Sequence, residues 1–272
     1  MAANQLDKGA RIELKTLSKD NADWVARHLV MAGRLLDDDP ELAHRHALSA
    51  ARRAGRIAVV RESVAITAYA TGDFALALRE LRTFRRLSGS NDQIALMVDS
   101  ERGVGRPERA LELGRSIERS ELPVAVQVGL AIAMSGARLD LEQPERALDE
   151  LEIPQLVPDR AFTWSPALFD AYATVLAELG RADEAEEWFA RSRHATEALE
   201  EASADEDTVE IFEEELDESE IPAIEVDAET HAEVATDETE AEDEAATADA
   251  DAAAVTPAEP DAGDEPAAGE SK

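Results

Sequence analysis

The sequence predicts an all-α protein in which helix pairs repeat along the chain, followed by an acidic tail. A hexapeptide occurs twice in almost identical form, at residues 106–111 (RPERAL) and 143–148 (QPERAL). Alanines in similar surroundings recur at intervals of 34, 33, 37 and 38 residues, a period typical of helical repeat arrays. Charge changes sharply near residue 200. The recurring alanines are Ala43, Ala77, Ala110, Ala147 and Ala185.

Both hexapeptides are typical of the start of a helix. Pro107 and Pro144 lack only an N–H that would be unpaired in the first turn, and the glutamate after each suits the positive helix end. The same reasoning, with apolar residues at three- to four-residue spacing, predicts five helix pairs. A loop is expected at residues 153–165, because Pro154 and Pro158 interrupt the pattern. The predicted helices begin near residue 21, cover about 40–54, 56–71, 73–87, 92–104 and 107–119, and then begin near 123, 144, 166 and 182.

Two local features of the first pair lead to specific expectations. Trp24, His28, Met31 and Leu35 are spaced so that they share one helix face, which we expect to be the apolar face of the first helix. Gly55 follows a predicted helix that ends in two arginines, so we expect it in the left-handed conformation that commonly ends helices.

The turns carry a recurring pattern of glycine, an aromatic residue and alanine. It is clearest in Gly72, Phe74 and Ala77, and the last pair has Gly180 and Ala185. This pattern resembles the tetratricopeptide repeat, and residues 25–62 are similar to a group of such proteins from high-GC Gram-positive bacteria. The resemblance implies a right-handed α-solenoid of about five helix pairs that acts as a protein-binding scaffold.

We expect three parts: a polar lead-in at residues 1–20, a repeat domain at 21–199 and, beyond a sharp change in charge, an acidic tail at 200–272. The tail holds 29 acidic residues and one basic residue. We expect it to be disordered, because such a composition cannot bury enough apolar surface to offset the entropy of ordering. Its main apolar cluster predicts a short docking segment, unless the apolar content is fortuitous: Val209, Phe212 and Leu216.

Several classes of function lack their sequence signals. The chain has no cysteine, and its histidines, glycines and serines form no zinc, dinucleotide, phosphate-loop or hydrolase motif. No apolar run approaches the roughly 18–20 residues of a membrane span, and the N-terminus lacks the apolar core of a secretory signal. The expectation is therefore a cytoplasmic, non-catalytic protein with no cofactor, no metal and no membrane contact.

The resemblance implies that one face of the first helices lines a concave groove that binds a partner segment. Mapped onto this sequence, the groove positions include an acidic set, one arginine and one tyrosine. The candidate groove residues are His28, Glu62, Tyr69, Asp99, Arg102 and Asp170.

Arginines recur on the second helices, and the resemblance implies that these helices form the convex side. Residues 45–119 hold 14 arginines and 9 acidic residues. This arginine ridge is either an ordinary solvated surface or a site for nucleic-acid phosphates, an acidic protein or the chain's own tail. A nucleic-acid or ribosome-associated module, with the tail as an internal phosphate mimic, is therefore the alternative to a protein scaffold. The ridge comprises Arg52, Arg53, Arg56, Arg79, Arg82 and Arg86.

Overall fold

The computed structural model describes residues 2–206, and the regular elements in that part of the chain are all helices. The predicted all-α class is confirmed. The α-helices are α1 Lys8–Glu13, α2 Lys19–Arg34, α3 Pro40–Ala54, α4 Ala58–Ala70, α5 Phe74–Ser88, α6 Ile94–Gly103, α7 Pro107–Arg115, α8 Val124–Asp140, α9 Pro144–Leu151, α10 Ser165–Glu178 and α11 Ala182–Glu206.

Helices α2 to α11 form five consecutive pairs that stack in a line. The two helices of each pair contact each other, and the second helix of each pair also contacts the first helix of the next. First helices contact one another as well, as α2 does with α4 and α6 does with α8. Neighbour-on-neighbour packing of this kind defines a helical solenoid, in which each pair buries its apolar face against the next.

The recurring alanines lie where the second helix of each pair packs against its neighbours. The first four are fully buried and Ala185 is 3% exposed. The predicted loop is also confirmed, since α9 ends at Leu151 and α10 begins at Ser165.

The conformation expected for Gly55 is wrong. Its φ is −67°, outside the left-handed region. An added Cβ would lie 2.8 Å from the carbonyl oxygen of Ala51 and 3.0 Å from Nη2 of Arg61, and Arg61 Nε donates to the Gly55 carbonyl at 2.5 Å. Glycine is therefore needed here for space and not for a positive φ.

The predicted helix at residues 107–119 is too long. Helix α7 ends at Arg115, and Arg119 begins a short 3-10 turn. Both the backbone N–H and the hydroxyl of Ser116 donate to the Leu113 carbonyl, which tightens the chain into a turn. The local hydrogen bond thus competes with the next helical turn.

The prediction of the apolar face of α2 is also wrong. The buried face is displaced by about one residue from the predicted one. Trp24, His28 and Met31 are only partly buried, and the core face lies beside them. Leu14, from the lead-in, packs into the same cluster as Val25 and Leu29, which turns that face inward. The buried residues of α2 are Val25, Ala26, Leu29, Val30 and Ala32.

Candidate protein-binding groove

Three consecutive first helices bring polar side chains together near their carboxyl ends. Tyr69 comes from α4, Asp99 and Arg102 come from α6, and Asp140 is the last residue of α8. Asp99 and Arg102 are three residues apart and so lie on the same helix face. We call these four residues the polar cluster, and three of them belong to the groove predicted from the sequence.

The polar cluster is held by direct hydrogen bonds that cross from one helix pair to the next. The Tyr69 hydroxyl donates to Asp99 Oδ2. Arg102 Nη1 donates to Asp99 Oδ1 at 2.5 Å, and its Nε and Nη2 donate to the two Asp140 oxygens at 2.7 and 3.1 Å. The guanidinium therefore holds Asp140 by a bidentate contact, the geometry at which arginine is strongest, and Asp99 by a single hydrogen bond.

A cavity of about 640 Å³ opens beside the polar cluster. Its apolar wall includes Phe74 and Leu141, and Glu108 adds a further carboxylate. The Phe74 ring covers Gly103, where an added Cβ would lie 2.3 Å from a ring atom. Glycine at this position is therefore what allows the ring to approach α6 and form the wall.

Two members of the polar cluster, Tyr69 and Arg102, have raised pKa values. Burial, with the adjoining Asp99 carboxylate, raises the pKa of Tyr69 to about 12, so the hydroxyl remains a donor. Burial opposes the charged form of Arg102, but the hydrogen bonds and charges of Asp140 and Asp99 outweigh it and raise the pKa of the guanidinium.

The other predicted groove residues lie outside the polar cluster. Glu62 accepts a hydrogen bond from Gln93 Nε2 at 2.7 Å, and burial raises the pKa of its carboxyl group. His28 approaches His46, with 2.8 Å between their Nδ1 atoms. Asp170 is exposed on α10 and does not line the cavity.

Two residues of this site were missed from the sequence. Asp140 ends a helix that otherwise reads as largely apolar, and nothing near it in sequence indicates that it reaches Arg102. Glu108 stands in the repeated hexapeptide, where its helix-start role is sufficient explanation. Only the packing of α6 on α8 brings Asp140 and Arg102 together.

Four arginines of the ridge contact other side chains of the helical domain. Arg82 Nη2 lies 2.7 Å from Glu101 Oε1, and Arg79 Nη2 lies 3.1 Å from Glu80 Oε1. Arg53 stacks on the Trp24 ring with its guanidinium carbon 4.0 Å from the ring centroid. Arg52 donates to the Ser49 hydroxyl at 2.7 Å. Arg56 and Arg86 are exposed and form no ion pair within residues 2–206.

No group of three or more histidine and acidic side chains in residues 2–206 is arranged to hold a metal ion. None of the helices in that range is both long and apolar enough to cross a membrane. The predicted docking segment, Val209, Phe212 and Leu216, lies outside the described residues.

No protein-family model matches the chain, and no curated protein matches it. Among solved structures, the chain is similar to one titled "MamA RS-1 ArsTM double mutant", with 16% identity and a TM-score of 0.46 over 68% of this chain and 98% of that one. A likeness this distant does not bear on function.

Proposed function

We propose that this chain is a non-catalytic scaffold that binds a segment of a partner protein across α4, α6 and α8. The observation that carries the proposal is the polar cluster, which links three successive helix pairs beside a 640 Å³ cavity. A surface that spans several repeats suits an extended segment, because such a segment meets the same helix positions again in each repeat.

The polar cluster has the features of a recognition site. Its donors and acceptors are held by one another, so little conformational entropy is lost when a partner binds. Aromatic and aliphatic side chains beside it supply apolar area, and the polar atoms supply orientation. Tyrosine and arginine are also the side chains most enriched at the energetic centres of protein interfaces.

The proposal is tested by capture of partners from the native cell on the full-length chain, followed by identification of the bound proteins. Tyr69→Phe removes one hydroxyl and Arg102→Gln removes the guanidinium charge. Each change removes hydrogen bonds that hold Asp99 or Asp140 in place, so we expect each to change the yield of specific partners by roughly tenfold, the effect of losing a hydrogen bond to a charged group.

The matched control is Arg181→Gln. Arg181 also makes a bidentate pair with a carboxylate, from its Nε and Nη2 to Glu184 at 2.7 and 2.5 Å, and it does not line the cavity. Its removal should leave capture unchanged. Equal capture of every partner by all variants, with unaltered thermal melts, would rule out the groove.

A second candidate function is supported by one feature of the arginine ridge. Residues 42–61 contain five arginines and no acidic residue, and Arg56 is exposed without an ion-pair partner in residues 2–206. A surface of this kind would bind nucleic-acid phosphates in a salt-dependent manner. Fluorescence anisotropy with labelled RNA at low salt tests this, and Arg56→Gln with Arg86→Gln should weaken any binding. Absence of binding by the unaltered chain would exclude it.

A further inference from the structure

The cavity beside the polar cluster carries an excess of negative charge. Asp99, Glu108 and Asp140 face it against a single arginine, Arg102, whose guanidinium is already shared between the two aspartates. Two neighbouring arginines do not alter this balance. Arg106 lies 3.9 Å from Glu101, and Arg138 lies 3.5 Å from Glu150, and none of those four residues lines the cavity.

The helix ends around the cavity do not offset this charge. The carboxyl ends of α6 and α8 lie there, and so do the amino ends of α5 and α7. Helix ends of opposite sign carry partial charges of similar size, so their contributions largely cancel. The side chains therefore decide the sign of the potential, and the potential favours a cation.

The shape of the cavity suits a long basic side chain. Phe74, Pro107 and Leu141 provide an apolar wall on which the methylene stem of a lysine or arginine can pack while its charged end reaches the carboxylates. The Phe74 ring is also available for a cation–π contact. A volume of about 640 Å³ is ample for one such side chain with the backbone that carries it.

The charges predicted along the rest of the groove have the same sign. Glu62 and Asp170, the remaining ionised residues of the predicted groove, are both acidic, and Arg102 is the one arginine among the predicted groove residues. An acidic segment would meet repulsion along this face. The acidic groove thus contrasts with the arginine-rich second helices.

We infer that the partner segment is basic and that one of its lysine or arginine side chains enters this cavity, between Asp99, Glu108 and Asp140. The inference rests on the proposed function, since it names the chemistry of the segment that the groove binds. Glu108 is the most direct contact to test, because it is exposed on the first turn of α7 and can be changed without disturbing the core.

The experiment selects heptapeptides from a random displayed library on the full-length chain and measures their affinity by fluorescence anisotropy. Peptides whose affinity changes in either direction with Tyr69→Phe or Arg102→Gln are the groove-dependent set. We expect that set to carry lysine or arginine, and replacing that residue with norleucine or citrulline should weaken binding roughly tenfold, as for loss of a charged hydrogen bond.

The repeated hexapeptide supplies a matched control. Glu108 and Glu145 each follow the proline that begins a second helix, but only Glu108 lines the cavity. Glu108→Gln should weaken the basic peptides about threefold or more, and Glu145→Gln should leave them unchanged. Binding should also weaken as salt is raised.

The possible failures can be told apart. If no peptide is groove-dependent, the proposed function itself fails. If groove-dependent peptides are found but are neutral or acidic, or if Glu108→Gln and Glu145→Gln behave alike, the scaffold function stands and the basic-segment inference is overturned. Acidic peptides held by Arg102 would show that the guanidinium, and not the carboxylates, makes the decisive contact.

Discussion

In four of the five helix pairs, the turn between the two helices contains one residue with a positive φ. Gly72, Gly105 and Gly180 have φ values of 79°, 74° and 73°, and Glu142 occupies the corresponding place with φ 56°. Glu142 is the only residue other than glycine with a positive φ among residues 2–206. A residue with a Cβ loses about 1–2 kcal/mol in the left-handed region. The backbone at Glu142 is therefore strained.

Glu142→Gly should raise the free energy of unfolding by up to about 1 kcal/mol, because the relieved strain exceeds the extra entropy that glycine gives the unfolded chain. Urea unfolding measures the change. The comparison is Gly72→Ala, where an added Cβ meets nothing within 4 Å, so that its cost is in the backbone alone. A loss of stability in Glu142→Gly would mean that the glutamate side chain stabilises this turn.

The tyrosine of the polar cluster predicts a specific response to alkali. Burial and Asp99 raise the pKa of Tyr69 from 10.0 to about 12. An acid whose pKa is higher in the folded state stabilises the fold below its unfolded pKa, and that contribution is lost as pH rises through the folded value. The melting temperature should therefore fall as the pH is raised from 10 to 12. Tyr69→Phe should show a smaller fall over that interval, and an identical fall would argue against this coupling.

Two buried carboxylates form ion pairs that connect consecutive helices. Glu80 on α5 is 4% exposed and lies 2.7 Å from Arg61 Nη1 of α4. Glu101 on α6 is 3% exposed and lies 2.7 Å from Arg82 Nη2 of α5. Each pair therefore links one helix to the next along the stack. Part of the arginine-rich surface thus serves the fold and is not free for a ligand.

Arg82→Ala should lower the free energy of unfolding by about 2 kcal/mol, because it leaves the buried Glu101 carboxylate short of a partner. The exposure of Arg82 and the proximity of Arg106 keep the effect below that of a fully buried pair. Arg86→Ala, one turn further along α5 and exposed, should change stability by less than about 0.5 kcal/mol. Equal effects in urea unfolding would remove the distinction between the two arginines.

The first pair of the solenoid needs a cover for its outer apolar face, as terminal repeats do. The lead-in supplies one, since Leu14 is 2% exposed and packs in the same cluster as Val25 and Leu29. Glu13 also accepts a hydrogen bond from the Val59 backbone N–H at 3.0 Å, close to the start of α4. The lead-in is therefore packed as part of the helical body.

Leu14→Ala should cost about 2–4 kcal/mol of stability, the range for a large side chain removed from a core. Ile12→Ala, two residues away and 53% exposed, should change stability by less than about 0.5 kcal/mol. Chemical unfolding followed by circular dichroism measures both. Similar small losses in the two variants would mean that the lead-in does not hold the first pair together.

The sequence by itself determined the helix pairs, their period, the buried alanines and the loop before α10. These features are local, because helix starts, turn residues and apolar spacing each depend on a few neighbouring residues. The sequence also brought Tyr69, Asp99 and Arg102 into one predicted groove, since residues at matching repeat positions share a face.

Only the tertiary structure decided which side chains meet. Asp140 reaches Arg102 across 38 residues, and Arg82 reaches Glu101 across 19, and no local pattern marks either pair. Packing likewise determines two local features. Leu14 packs against one face of α2 and so sets which face is buried, and Arg61 occupies the space beside Gly55. Burial and ion pairing depend on distance in space, which the stacking of one helix pair on the next creates.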